Sequence, residues 1–191
     1  MGKLRRSDPE PSSIRSHYER DGAEGFYQQH GKDYRNPHEP IIIKSLDIAC
    51  RQWSLDLSHV LDLAAGSGEV TLAIRGLGAQ RVEGVDPYTW AAYGTRTGQP
   101  AMRLSFADIA SGALGEKGYT LIIASFALHL CEQSRLPALM YELSRISPRL
   151  LVLTPHKRPE IRRAWGWELV GEQVIERVRS RLYSVLQTDV R

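Results

Sequence analysis

The stretch HVLDLAAGSGEVTLAIRGLGAQRVEGVDPY, residues 59–88, carries the main indication of the fold. An apolar run ends in a glycine-rich turn, a helical pattern follows, and a second β-rich run ends at Asp86. Such a strand–turn–helix–strand unit is typical of open α/β sheets, which bind ligands at the carboxyl ends of their parallel strands. The turn after the first strand is therefore the predicted ligand site.

The residues of this turn discriminate between ligand classes. A dinucleotide site has the pattern G-x-G-x-x-G, whereas the chain reads GSGEVT at positions 66–71 and lacks the third glycine. A phosphate loop has Lys-Ser or Lys-Thr after its second glycine, where this chain has Glu69, an acid that repels phosphate. Asp62 and Asp86 favour a neutral or cationic nucleoside instead, because a carboxylate accepts hydrogen bonds from vicinal ribose hydroxyls.

The composition is that of one ordinary globular domain. The chain has 191 residues, 42% of them hydrophobic and 25% charged, and its net charge of +3 is too small to indicate nucleic acid binding. Cys50 and Cys131 lie far apart, which favours a reduced intracellular compartment, the cytoplasm or the nucleus. No apolar run is long enough for a membrane span, so no membrane partner is expected.

Strand-like and helix-like segments alternate along the chain. Strands are predicted at residues 59–64, 81–86, 101–107, 119–128 and 149–155, and helices at 38–53, 69–78, 89–98 and 133–147. This alternation predicts a parallel α/β sheet with both faces covered. A period near two in the C-terminal segment predicts a closing antiparallel pair that turns near Glu176. Because no Gly, Pro or Asn marks that turn, a single helix over 168–186 is the alternative.

Several segments in this order resemble the motifs of the class I S-adenosylmethionine-dependent methyltransferases. VLDLAAGSG (60–68) resembles motif I, usually D-x-G-x-G-x-G, and VEGVDPY (82–88), SFADIA (105–110), YTLIIASFALHL (119–130) and ISPRLLVLTP (146–155) resemble the next four. The resemblance implies a class I methyltransferase-like, doubly wound α/β sheet, mostly parallel, with a C-terminal antiparallel hairpin and strand order 3-2-1-4-5-7-6. It identifies no subfamily. Ala64 stands where the first glycine is usual, and we expect the cofactor to fit despite its methyl group.

The resemblance implies methyl transfer with S-adenosylmethionine as cofactor, and it places the binding residues at the strand ends. Asp86 would accept the ribose hydroxyls, Asp108 would lie beside the adenine, and Tyr88 would be the adenine platform. The implied set is Asp62, Ala64, Gly66, Gly68, Asp86, Pro87, Tyr88, Asp108, Ile109, Ser125, Phe126, Tyr27, Tyr34 and Arg35. Structural roles stay open beside these: helix caps for the acids, tight turns or close packing for the glycines, and ordinary packing for the aromatic residues.

These implications predict a domain organisation. Residues 1–13 have the composition of a disordered tail, and residues 14–191 form one methyltransferase domain. Within it, residues 14–38 are an N-terminal lid, whose Tyr27, Tyr34 and Arg35 would close over the methionine end, or a simply packed arm. Residues 39–155 are the cofactor-binding core, and residues 156–191 are a C-terminal helix with the closing strands.

The acceptor side of the site is less specified by the sequence. SFALHL lacks an Asn-Pro-Pro-Tyr type of motif and resembles the small-molecule branch of the family, so a small or nucleotide-like acceptor is favoured. Where a proton must leave the acceptor, His129 is the preferred base, ahead of His38 and His156, although a structural hydrogen bond is the alternative. The basic, tryptophan-containing segment 156–167 makes an RNA methyltransferase the alternative, and a non-catalytic S-adenosylmethionine-binding module is another. No metal-ligand spacing is present.

Overall fold

The computed structural model describes residues 31–186, in which five α-helices and six strands are formed. The predicted disordered tail, Tyr27 and most of the predicted lid lie outside the described residues. The helices are α1 (Glu39–Gln52), α2 (Glu69–Gly76), α3 (Trp90–Thr97), α4 (Phe106–Ala110) and α5 (Leu136–Ile146). The strands are β1 (His59–Leu63), β2 (Arg81–Val85), β3 (Leu121–Ser125), β4 (Arg149–Thr154), β5 (Trp167–Ile175) and β6 (Val178–Val185).

The six strands form one sheet in the order β2-β1-β3-β4-β6-β5. The first four strands in this order are parallel, and β6 pairs antiparallel with both β4 and β5. The predicted mostly parallel sheet with a C-terminal antiparallel hairpin is confirmed. None of the described helices is long and apolar enough to cross a membrane.

Helices cover both faces of the sheet, because successive strand residues point to opposite sides. On one face, α1 and α2 pack on side chains such as Val60 and Ile123. On the other face, α4 and α5 pack on Leu61 and Ile122. Because β1, β2 and β3 are parallel, their carboxyl ends meet at one edge of the sheet, between the two hydrophobic layers.

The predicted strand at 101–107 was wrong. The segment makes a single parallel bridge, Met102 to Val85, beside β2. The reason is a capping box: the Ser105 side chain accepts a hydrogen bond from the Asp108 amide, and the Asp108 side chain accepts one from the Ser105 amide. This cap starts α4 at Phe106, so the outermost strand of the implied order is reduced to the bridge.

The closing hairpin was predicted, and the single helix over 168–186 was wrong. Its two turn residues, Glu176 and Arg177, both have positive φ, 47° and 72°. A type I′ turn requires this geometry, which normally selects Asn and Gly, and non-glycine residues adopt it here. The predicted C-terminal helix was also wrong, since the chain between β4 and β5 forms only a 3-10 turn at Arg163–Trp165.

Candidate functional site

A cavity of about 320 Å³ lies at the carboxyl ends of β1, β2 and β3, where the sequence predicts the ligand site. Its volume is at the lower end of the range for small-molecule sites. The lining comes from three strand ends, from the chain before α1, and from the segments around α4 and the start of α5. Its members are Tyr34, Asn36, Ile42, Asp62, Leu63, Ala64, Ala65, Gly66, Glu69, Val70, Asp86, Pro87, Tyr88, Thr89, Leu104, Ser105, Phe106, Ala107, Ile109, Ser125, Phe126, Ala127, Leu130, Cys131, Glu132 and Arg135.

The glycine-rich turn divides into a part that faces the cavity and a part that packs beneath it. Ala64 and Gly66 line the cavity with φ of 54° and 57°, so the position usually held by glycine takes its left-handed conformation with a methyl group. Gly68 is not in the lining. A Cβ at Gly68 would lie 2.4 Å from Cγ2 of Thr97, so close packing requires glycine there.

Asp86 lies in the cavity wall and also holds the turn that follows β2. Its Oδ1 accepts hydrogen bonds from the amides of Tyr88 (2.9 Å) and Thr89 (2.8 Å), and its Oδ2 accepts one from the amide of Gly66 (3.1 Å). An ionised carboxylate has about four acceptor positions, so capacity for a ligand hydroxyl remains. The structural and ligand-binding interpretations of Asp86 are therefore compatible. Pro87 and Tyr88 line the cavity beside it.

Asp62 is the most deeply buried acid of the cavity wall, with 1% of its surface exposed. Its Oδ2 accepts hydrogen bonds from the Thr71 amide (3.1 Å) and the Thr71 hydroxyl (2.7 Å). Burial raises the pKa of Asp62 to about 8, and the carboxylates of Glu69 and Asp86 act in the same direction. A pKa raised in this way favours the protonated form of Asp62 at neutral pH, and a cation beside the carboxyl group favours its ionisation.

Glu69, whose side chain would repel a phosphate, is buried at the first position of α2, and one of its carboxylate oxygens has several partners. Its Oε1 lies 3.0 Å from Nη1 of Arg96 and accepts hydrogen bonds from the hydroxyl of Ser67 and the amide of Asn36. Arg96 also reaches Oε1 of Glu39, at 2.6 Å. This ion-pair network joins the chain before α1, the start of α2 and α3 around the cavity.

The structure does not bring Asp108 to the cavity, which corrects its implied place beside the adenine. Its carboxylate is exposed, and Oδ2 accepts hydrogen bonds from the Ser105 amide (2.8 Å) and the Ser105 hydroxyl (2.6 Å). These bonds lower the pKa of Asp108. Of the two roles considered for Asp108, adenine contact and helix capping, the structure shows helix capping. Ser105, Phe106 and Ile109 line the cavity instead.

Ser125 and Phe126 lie at the cavity, at the end of β3. Phe126 has a φ of 55°, and its ring stacks on the His38 ring at a centroid distance of 5.1 Å. Tyr34 lines the cavity, and a Cβ on Gly66 would lie 3.5 Å from Tyr34 Cε1. Arg35 is exposed and outside the lining, so the structure does not bring it to the site.

His129 is not in the lining of the cavity, although Leu130 and Cys131, which follow it in the sequence, are. It lies on the 3-10 turn Leu128–Leu130, and its ring centroid is 4.7 Å from that of His156. Partial burial and the neighbouring His156 lower the pKa of His129, so both favour a neutral imidazole. Its role as a base stays a prediction, since the next residues, Leu130 and Cys131, line the cavity instead.

Sequence reasoning missed the residues that reach the cavity from helix starts and connecting segments. Glu132 and Arg135 directly follow the SFALHL segment, and this position at the sheet edge was the signal that could have identified them. Asn36 carries no such signal, because its contact with Glu69 depends on packing between distant segments. Among the described residues, no group of three or more His, Cys, Asp and Glu side chains is arranged to hold a metal ion.

The comparisons with known proteins agree with this geometry. No protein-family model matches the sequence. An uncharacterized protein of Schizosaccharomyces pombe is 34% identical, and the match covers 91% of this chain and 92% of that protein.

Solved structures resemble the fold at low sequence identity. Magnesium protoporphyrin IX methyltransferase of Synechocystis, crystallised with S-adenosylmethionine, has a TM-score of 0.58 at 15% identity, covering 97% of this chain and 100% of that one. The ribosomal protein L11 methylase of Lactobacillus delbrueckii subsp. bulgaricus has a TM-score of 0.57 at 16% identity, covering 81% of each chain. The chain thus belongs to the same family as the Schizosaccharomyces pombe protein, and its fold is that of the class I S-adenosylmethionine-dependent methyltransferases.

Proposed function

We propose that this protein transfers a methyl group from S-adenosylmethionine to a small-molecule or nucleotide-like acceptor. The observation that carries the proposal is the wall of the cavity, in which Asp62, Glu69 and Asp86 converge at the strand ends of a methyltransferase fold. Their carboxylates disfavour a phosphate and favour a ligand with cationic groups. S-adenosylmethionine carries a sulfonium and an ammonium group, which suit this wall.

The lining offers a place for each part of the cofactor. Asp62 would face the ammonium group of the methionine part, and Asp86 would accept a ribose hydroxyl with its remaining acceptor capacity. Leu104, Phe106 and Ile109 form an apolar surface suited to a purine ring. Asp108 has no part in this proposal, because its carboxylate is turned towards Ser105.

The remaining lining would receive the acceptor. When bound, the cofactor supplies a methyl group that a nucleophile takes by in-line displacement, with the bonding electron pair leaving to sulfur. The protein's contribution is alignment of the reacting atoms. Phe126 and Ala127 provide an apolar surface that would exclude water from the reacting atoms. For an acceptor that must lose a proton, His129, whose lowered pKa favours the neutral imidazole, would accept it.

Calorimetry and thermal unfolding with S-adenosylmethionine test this proposal, with NAD as the control ligand. We expect saturable binding of S-adenosylmethionine and a concentration-dependent rise in melting temperature, and no effect of NAD. Ala107→Trp places a large ring in the cavity wall and should abolish the binding. Ala113→Trp, at an exposed position outside the lining, is the matched control. Tight NAD binding without any response to S-adenosylmethionine would contradict the proposal.

An RNA acceptor is the second candidate, and the contact between His129 and His156 favours it. This contact brings the first residue of the basic segment 156–167 to His129, the neighbour in sequence of the lining residue Leu130. In that segment the guanidinium of Arg162 lies 5.6 Å from the Trp165 ring centroid, whereas Arg163 is paired with Glu168. If RNA is the acceptor, Arg162→Glu should weaken RNA binding across sequences and reduce its salt dependence. Absence of RNA binding by the wild type at low salt would eliminate this candidate.

A non-catalytic S-adenosylmethionine-binding module is the remaining alternative. It differs from both enzymes in a single result, namely saturable donor binding with no methyl transfer to any acceptor. Incubation with radiolabelled S-adenosylmethionine and fractionated cell extract, followed by separation into small-molecule, RNA and protein pools, distinguishes all three. Label in one pool identifies the acceptor class.

A further inference from the structure

A buried chain of hydrogen bonds runs beneath the glycine-rich turn and ends at Asp62. The Thr71 hydroxyl is 2.7 Å from Oδ2 of Asp62, and it is 3.0 Å from the Tyr93 hydroxyl. Nε2 of Gln99 is 2.7 Å from the same Tyr93 oxygen, and Arg75 donates to Oε1 of Gln99. The chain thus connects a partly buried cation on α2 with the most deeply buried carboxyl group of the cavity wall.

When Asp62 is ionised, the direction of every hydrogen bond in this chain follows from the groups at its two ends. Arg75 can only donate, so it fixes Oε1 as the acceptor of Gln99, and Nε2 donates to the Val82 carbonyl (2.8 Å) and to Tyr93. An ionised Asp62 can only accept, so the Thr71 hydroxyl donates its proton to Oδ2. The Thr71 oxygen then accepts the proton of the Tyr93 hydroxyl. All donors therefore point towards the carboxyl group.

Packing leaves the chain little freedom to rearrange. Tyr93 is fully buried, and Gly84 of β2 makes room for its ring, since a Cβ there would lie 2.6 Å from the Tyr93 hydroxyl. Oδ2 of Asp62 also accepts the Thr71 amide. Oδ2 of the ionised Asp62 thus accepts two hydrogen bonds, whereas no described residue forms a hydrogen bond with Oδ1.

We propose that Thr71, Tyr93 and Gln99 are positioning residues that hold Asp62 with Oδ1 towards the cavity and so determine how strongly the site binds a cationic group. The inference rests on the proposed function, in which this cation is the ammonium group of the methyl donor. Donors aimed at Oδ2 stabilise the ionised carboxylate, and their loss makes ionisation harder. Binding of the donor is then coupled to release of a proton from Asp62.

The surrounding charges set the pH range of this coupling. Glu69 on α2 and Asp86 after β2 oppose ionisation of Asp62, together with its burial. Arg96 on α3 is engaged by Glu69 and Glu39, and Arg75 acts through the hydrogen-bond chain. Since the pKa of Asp62 is about 8, affinity for the donor should rise as the pH rises from 6 towards 8, and it should fall again where the donor's own ammonium group loses its proton.

The decisive experiment compares S-adenosylmethionine affinity between pH 6 and 9.5 for the wild type, Thr71→Val and Thr71→Ser. Thr71→Val keeps the shape and removes the hydroxyl donor. It should move the midpoint of the pH dependence upwards and lower the affinity at pH 7 by about tenfold, as expected for a lost hydrogen bond to a charged group. Thr71→Ser keeps a hydroxyl donor, so its pH midpoint and its affinity at pH 7 should both be close to those of the wild type. Thr95→Val, on the exposed side of α3, is the matched control.

A second measurement does not depend on the cofactor. The carboxyl carbon of Asp62, followed by NMR in the ligand-free protein, should titrate at higher pH in Thr71→Val and, by a smaller amount, in Tyr93→Phe, which keeps the buried ring. An unchanged Asp62 titration in both variants would overturn the positioning role. If Thr71→Val fails to fold, Tyr93→Phe decides the question. If S-adenosylmethionine does not bind the wild type, the proposed function fails, and the Asp62 titration still decides the role of the chain.

Discussion

At the scale of single residues, Asp62 links stability to pH with an unusual sign for an aspartate. The folded protein holds the proton up to about pH 8, whereas an unfolded chain releases it near the ordinary value of about 3.9. Between these values unfolding releases a proton. The contribution of Asp62 to the free energy of unfolding is thus fully present below about pH 4 and is lost as the pH rises to about 8.

Asp62→Asn should remove this pH dependence. The free energy of unfolding of the wild type, relative to the variant, should fall between pH 5 and 8 with a slope approaching 1.4 kcal/mol per pH unit. Urea denaturation of both proteins at several pH values measures this difference in unfolding free energy. Asp56→Asn is the control, because hydrogen bonds from Ser58 lower the pKa of Asp56 and place its titration below this range. Parallel curves for the wild type and Asp62→Asn would contradict the assignment of a neutral Asp62.

Asp86→Asn should affect folding and ligand binding together. Asparagine has one acceptor oxygen, so either the Gly66 amide or the pair of Tyr88 and Thr89 amides would face an NH2 group. We expect the ligand-free variant to lose about 1–3 kcal/mol of unfolding free energy. The dissociation constant for S-adenosylmethionine in the folded protein should rise about tenfold or more. Calorimetry well below the melting temperature separates the two effects, and an unchanged dissociation constant would exclude the ribose role.

The sequence predicted some of the residues that line the cavity, but it did not predict the contacts that these residues make. Asp62, Gly66 and Asp86 could be placed at the cavity because they follow or end predicted strands, and such ends meet at one edge of a parallel sheet. Asp108 shows the limit of that reasoning. A local capping bond to Ser105 turns its carboxylate away, and a motif resemblance carries no information on side-chain direction.

At the scale of secondary-structure elements, the β5–β6 hairpin stores strain in its turn. Glu176 and Arg177 adopt positive φ without being glycine or asparagine, which costs about 1 kcal/mol each. The hydrophobic pattern of the flanking strands and the ion pair of Glu176 with Lys44 of α1 hold the turn in place. Strand patterning therefore predicted this hairpin, although the turn residues gave no signal for it.

Arg177→Gly should stabilise the protein because glycine adopts positive φ without strain. The expected gain is about 1 kcal/mol, less the entropy that glycine adds to the unfolded chain. A thermal scan should then detect a melting temperature up to about 2–4 °C higher. Arg177→Ala removes the same side chain and keeps the strain, so it should not stabilise. Equal melting temperatures for the two variants would argue against strain at this turn.

At the scale of the whole molecule, the alternation of strands and helices was sufficient to predict the sheet and its two covered faces. The apolar pattern also located α1, α2, α3 and α5, whereas α4 begins inside the segment that was predicted as a strand. Interactions between distant segments could not be predicted. The network of Glu39, Glu69 and Arg96 joins residues that are tens of positions apart, and each of them in isolation resembles an ordinary surface charge.

In this network, Arg96 of α3 connects the starts of α1 and α2 through its ion pairs with Glu39 and Glu69. Arg96→Met keeps much of the side-chain volume and leaves Glu69 buried without its partner. Breaking a buried ion pair in this way costs about 3–5 kcal/mol. The melting temperature should fall by about 2–4 °C for each kcal/mol lost.

The double variant Arg96→Met/Glu69→Gln distinguishes an uncompensated charge from lost packing. Glutamine can accept the Ser67 and Asn36 hydrogen bonds without a charge, so the double variant should recover most of the stability lost by Arg96→Met. Equilibrium unfolding of the wild type, both single variants and the double variant closes the thermodynamic cycle. If the double variant is as unstable as the sum of the single ones, the two side chains do not act as a pair. The cavity wall would then depend on Arg96 through packing alone.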